Sequence, residues 1–75
     1  MTQMYNNNRY SDKVIDVTVT AIIENRDIFE IHDYTGVVAT TKFDTHINEL
    51  VIGNVNKLHI REDFQNGNSY FLKVI

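Results

Sequence analysis

The chain has 75 residues, with no cysteine, no proline and no tryptophan, 43% apolar residues and a formal charge of -3. At this size a chain buries roughly 60% of the surface its unfolded form exposes, enough for one small core and too little for a second domain. The missing cysteines exclude a disulfide framework and a thiolate metal site, and the excess of acids argues against a strongly basic nucleic-acid clamp while leaving room for a local patch.

Residues 1 to 12 are polar, with three successive asparagines at Asn6 to Asn8, and read as a flexible tail ahead of one domain over residues 13 to 75. From Lys13 the texture changes. Ile15, Val17, Val19, Ala21 and Ile23 alternate with Asp16, Thr18, Thr20 and, apart from Ile22, Glu24, which is the period of a long half-buried strand. Its β-branched residues are stiff at χ1 and pack well on a pleated surface.

Asn25-Arg26-Asp27 supplies turn chemistry, and Ile28 to Asp33 resumes the alternation, which makes a second strand and a hairpin. In Asp33-Tyr34-Thr35-Gly36 an aspartate opens and a glycine closes a four-residue turn, so Asp33 reads as a turn cap. A third strand follows from Val37 to Phe43 with its register open: Val37, Ala39, Thr41 and Phe43 form the more apolar face, and Val38 with Thr40 form the other candidate. Asp44 and Thr45 are good N-caps, and Ile47, Leu50 and Val51 recur at helical spacing before Gly53, predicting a helix of about two turns. Leu58 and Ile60 then alternate with Lys57, His59 and Arg61 on a fourth strand with a basic outer face. Asn66-Gly67 is a strong hairpin signal ahead of a fifth strand from Tyr70 to Ile75, on which one of Tyr70 and Phe71 belongs to the core.

Five strands with a helix between the third and the fourth match an all-β, five-stranded closed OB-fold barrel plugged by one short helix. The longest apolar stretch, Leu50 to Ile52, is far below the roughly 18 residues of a membrane span, and Met1 to Tyr10 lacks a signal-peptide core. A soluble, intracellular protein without a membrane partner is expected.

Residues 31 to 43, reading Ile-His-Asp-Tyr-Thr-Gly-Val-Val-Ala-Thr-Thr-Lys-Phe, resemble the single-stranded-DNA-binding OB domains of replication protein A and, more loosely, anticodon-binding OB domains. The similar pattern is an apolar residue, Asp33, Gly36 and then an aromatic, Phe43. The resemblance implies that Phe43 on the third strand and Phe64 in the loop between strands four and five stack on bases. It also places Val38 and Thr40 inside and leaves Lys42 facing the barrel, with its stem packed and its ammonium reaching water. Arg26, Lys42, Arg61 and Lys73 are the candidate phosphate contacts, and Tyr34 at the turn tip is a further stacking candidate. Lys57 and His59 sit on strand four, away from the family's binding face, and are left out.

Structural readings compete at each position. Phe43 packs inward on the raw pattern, and Phe64 could fold back over the barrel mouth. His32, His46 and His59 lie on separate elements without cysteine partners, so neither a metal nor any other cofactor is expected. There is no glycine-rich phosphate loop and no nucleophile with a plausible histidine partner, so the chain is expected not to be an enzyme. The leading expectation is a module that binds single-stranded nucleic acid, DNA favoured over RNA, within a replication, repair or telomere assembly. The rival is a protein-interaction subunit that scaffolds such an assembly.

Overall fold

The computed structural model describes residues 8–42 and 45–75, so Phe43, the expected cap Asp44 and most of the expected tail lie outside the described residues. Its strands are β1 (Tyr10–Thr18), β2 (Ala21–Asn25), β3 (Ile28–Asp33), β4 (Gly36–Lys42), β5 (Val55–Asp63) and β6 (Asn68–Val74), with a 3₁₀ turn at Thr45–Glu49 between β4 and β5. They form one sheet in the order β1-β5-β6-β4-β3-β2, antiparallel throughout except where β4 and β6 run parallel and pair at Thr40 and Tyr70. No helix among the described residues is long and apolar enough to cross a membrane.

This corrects the expected five-stranded closed barrel. The sheet has six strands and two ends, and among the described residues no ladder joins β1 to β2. The cause lies at Val19-Thr20, where the predicted first strand breaks in two. Val19 N–H donates to Asn54 O at 3.1 Å, on the β5 side, while Thr20 N–H donates to His32 O at 2.8 Å, on the β3 side. Each half therefore takes a different neighbour. The break also shifts the side-chain phase by one: Ile22 pairs with buried Ile31 and packs on the core, whereas Ile23 is 45% exposed. Alternation carried forward from Val19 assigns these two isoleucines the other way round.

Six flat strands at the usual spacing would hold the two edges about 24 Å apart, while two residues reach only about 7 Å. The sheet must therefore coil tightly, bringing its ends together at Val19-Thr20 without closing the ladder. Its inner face buries Val17, Val19, Ile31, Ala39, Leu58, Ile60 and Phe71, and Leu50 covers the core from the segment after the 3₁₀ turn. Fully burying a side chain such as Ile31 or Leu58 contributes roughly 1.5–3 kcal/mol.

The expected two-turn helix is replaced by the 3₁₀ turn. Of its three apolar positions, Ile47 and Leu50 face the core and Val51 is exposed. Two anchors three residues apart suit the three-residue period of a 3₁₀ turn, and Leu50 N–H donates to Ile47 O at 3.1 Å. The side chain of buried Asn56 then holds the following segment. Its Oδ1 accepts from Val51 N–H at 2.9 Å, and its Nδ2 donates to Val51 O at 3.0 Å and to Asn54 O at 2.9 Å.

Candidate nucleic-acid interface

Two hairpin loops and the parallel seam between β4 and β6 build the candidate site. In the β3–β4 loop, Asp33 Oδ1 accepts from the Thr35 hydroxyl at 2.6 Å and from Thr35 N–H at 2.7 Å, bonds that favour the ionised carboxylate and hold its pKa below the usual value. That cap projects Tyr34 into solvent at 84% exposure. The β5–β6 loop, Phe64 to Gly67, is closed by Gly67 N–H to Asp63 O at 2.8 Å and by Gln65 N–H to Asp63 Oδ1 at 3.0 Å. Gly67 takes a positive φ of 75° and Asn66 does not, so the loop is longer than the two-residue turn that Asn-Gly favours. Phe64 stands on this loop at 60% exposure, its N–H donating to Arg9 O at 2.7 Å.

Because β4 and β6 run parallel, their N-terminal ends lie side by side, and so do the loops carrying Tyr34 and Phe64. Between them opens a cleft of about 280 Å³ lined by Val37, Val38, Ala39, Thr40, Gly67, Asn68 and Ser69. Beyond the Thr40–Tyr70 bridge a second, more apolar cleft of about 340 Å³ is lined by residues that include Ile28, Lys42, Tyr70 and Leu72. The described residues therefore set two exposed rings on loops at the same end of the sheet, Tyr34 just before β4 and Phe64 at the start of the β5–β6 loop, where its N–H continues the β1–β5 ladder.

The register of β4 is settled against the one the resemblance implied. Ala39 and Thr41 are buried, and Lys42 is exposed, not turned toward the core. A bulge sets Val37 opposite His32 and Ala39 opposite Ile31, leaving Val38 as the extra residue, half-buried against the core. Phe43, the expected stacking residue, lies outside the described residues.

The expected cations do not gather at one place. Arg26 sits in the β2–β3 turn with φ 59°, and Lys42 pairs with Ile28 just beyond that turn, so these two share the end of the sheet opposite Tyr34 and Phe64. Arg61 pairs with Tyr70, three positions before Phe64, and Lys73 pairs with His59. Arg61 is engaged: its Nε and Nη2 donate to Asp12 Oδ1 and Oδ2 at 2.6 and 3.0 Å, and Asp12 is held below the usual carboxylate range chiefly by that guanidinium. His59 Nε2 lies 3.3 Å from Asp12 Oδ2.

A bulge at Leu72 explains the position of Lys73. Strict alternation puts it on the face of buried Phe71, but the extra residue turns Lys73 outward and Val74 inward. Lys57 and His59, set aside on the resemblance, share the outer face of β5 with Arg61, as their alternation with Leu58 and Ile60 predicts. Among the described residues no group of three or more histidines or acids is placed to hold a metal ion.

No family model, characterised protein or solved structure matches the chain.

Proposed function

We propose that the protein binds single-stranded nucleic acid, DNA favoured over RNA, as a non-catalytic module of a larger replication or repair assembly. The observation that carries this reading is the placement of two largely exposed rings, Tyr34 and Phe64, on the loops that precede β4 and β6 at one end of the sheet. A base offers a flat face to such a ring, and stacking contributes about 1–3 kcal/mol per base without demanding a sequence. With a chain charge of -3, stacking outweighs phosphate attraction. Each phosphate neutralised on a single strand contributes about -0.7 to the salt slope, so that slope is shallow. Affinity for one short strand is weak and rises by linkage to other modules.

Titration of labelled dT oligomers against duplex DNA and RNA of equal length, with Phe64→Ala and Tyr34→Ala alongside, tests the reading. Binding of single strands that weakens in both variants supports it. No binding at high protein concentration, or unchanged affinity in both folded variants, rejects it.

A second reading, a protein-interaction subunit, has its own support. Val51, Ile52, Val55 and Ile75 are all exposed, and Val51 and Ile75 are hydrogen-bonded to the first residues of β5 or their neighbours. They give the end of the molecule opposite Phe64 an apolar character. A chain that self-associates or precipitates unless Val51 and Val55 are made polar, and binds no oligonucleotide, favours this reading.

A further inference from the structure

The charges on the outer face of the sheet are unevenly shared between its two halves. On β5 the outward positions are Lys57, His59 and Arg61, spaced two residues apart and so about 7 Å along the strand. Lys73 of β6 lies opposite His59, and Tyr70 lies opposite Arg61. Tyr70 also bridges to Thr40, which makes this face continuous with the β4–β6 seam, and its hydroxyl accepts from Asn66 Nδ2 at 3.3 Å in the loop that carries Phe64. Neither Lys57 nor Lys73 makes an ion pair with another described residue. The acids bordering this face are Asp12 and Asp16 of β1, and Asp12 already accepts from Arg61 through both oxygens.

The other half of the outer face is less hospitable to phosphate. Glu30 stands at its centre, opposite Thr40 of β4 and Ile23 of β2, with its carboxylate 3.1 Å from His32 Nε2. Its cations, Lys42 on β4 and Arg26 in the turn, are at the far end, and Arg26 is followed directly by Asp27. Arg9 and Lys13 serve neither half, being engaged by Asp63 and Glu62.

We infer that the bound strand runs from the Tyr34 and Phe64 loops across the outer face of β5 and β6, where Lys57 and Lys73 meet its phosphates, and not across β3 and β4. This rests on the proposed single-strand binding and names the path within it. Tyr70 lies on that path as a third ring, and the Asp12 carboxylate holds the Arg61 guanidinium in place. The face sets three cations, Lys57, Arg61 and Lys73, against two bordering acids, Asp12 opposite Arg61 and Asp16 opposite Lys57, although the whole chain is acidic.

The test compares two double charge reversals, Lys57→Glu with Lys73→Glu and Arg26→Glu with Lys42→Glu, in titrations of labelled dT oligomers at two salt concentrations. All four side chains are exposed, and circular dichroism checks that the fold persists. The first pair is expected to weaken binding about tenfold or more at low salt and to reduce the salt slope by about 1.4, one phosphate per lysine. The second pair, of which Lys42 borders the cleft that Tyr70 also lines, is expected to weaken binding by a smaller factor than the first. Amide shifts in a dT titration followed by NMR should fall on residues 57–61 and 70–73. Parent protein that binds, but loses affinity only with the second pair or shifts amides of β3 and β4 instead, overturns the path and leaves the binding function standing. Parent protein that binds no single strand rejects the function, and the path with it.

Discussion

Arg9 donates to both carboxylate oxygens of Asp63, Nε to Oδ1 and Nη2 to Oδ2, each at 3.1 Å, and the Asp63 side chain is only 2% exposed. The pair ties the start of β1 to the β5–β6 loop, and the Arg9 carbonyl accepts from Phe64 N–H in the same place. The Arg9 guanidinium, with support from Gln65 N–H, holds the Asp63 carboxyl below its ordinary pKa. A carboxyl depressed in the folded state stabilises the fold above its unfolded pKa, near 3.9, and that contribution is lost as pH falls through the lower folded value. Thermal melts from pH 7 to pH 2 should therefore show the midpoint dropping below about pH 4. Asp63→Asn should lower the midpoint at neutral pH by several degrees and flatten the acid limb. An Asp63→Asn protein with the parent's acid limb would assign that limb to other carboxyls, Asp12 and Asp33 foremost.

Asn56 is buried beneath the segment that follows the 3₁₀ turn, and its amide makes three bonds to the backbone of Val51 and Asn54. Aspartate in its place can still accept from Val51 N–H but cannot donate, so two carbonyls would face a buried carboxylate. Leaving a buried polar group unsatisfied costs about 1–3 kcal/mol, and Asn56→Asp should lose at least that much in urea denaturation. Loss of less than about 0.5 kcal/mol would mean that this segment is not fixed by the amide.

Arg26 holds a φ of 59°, which costs a residue with a Cβ about 1–2 kcal/mol. Glycine removes that strain and gives back part of the gain as unfolded-state entropy, so Arg26→Gly should stabilise the fold by about 0.5–1 kcal/mol. The melting midpoint should rise by a few degrees while oligonucleotide affinity stays as it is. A fall in the midpoint would show that the Arg26 side chain stabilises the turn.

Ile22 and Ile23 are neighbours of equal volume on opposite faces of β2. Ile22→Ser should cost about 1–2 kcal/mol, since this side chain is half-buried against the core, and Ile23→Ser should stay within about 0.5 kcal/mol. Denaturation midpoints of the two variants read the phase shift at Val19-Thr20 directly. The reverse order would restore the uninterrupted strand that the alternation predicts.

Much of the secondary structure was legible locally because a half-buried strand must alternate. Val17, Leu58 and Ile60 announce their face without knowledge of any partner, and Asp33 caps its turn through a bond two residues away. The candidate rings were legible too, Tyr34 at a turn tip and Phe64 in a polar loop, since neither has apolar neighbours in sequence to bury it.

What the sequence determined by itself is therefore the approximate place of β3, β4, β5 and β6, the turn residues at Asn25 to Asp27, Asp33 to Gly36 and Asn66-Gly67, and several inward side chains, all of which depend on contacts within a few positions. Alternation alone runs β1 and β2 together, and apolar spacing predicts a helix where the 3₁₀ turn lies. The tertiary structure decided which strand each edge meets: the break at Val19-Thr20, the open ladder, the bulges that release Val38 and turn Lys73 outward, and the ion pairs of Arg9 with Asp63 and Arg61 with Asp12. Those features rest on hydrogen bonds and charges between residues far apart in the chain. Periodicity reports that a side chain is buried and is silent about what lies across the sheet from it.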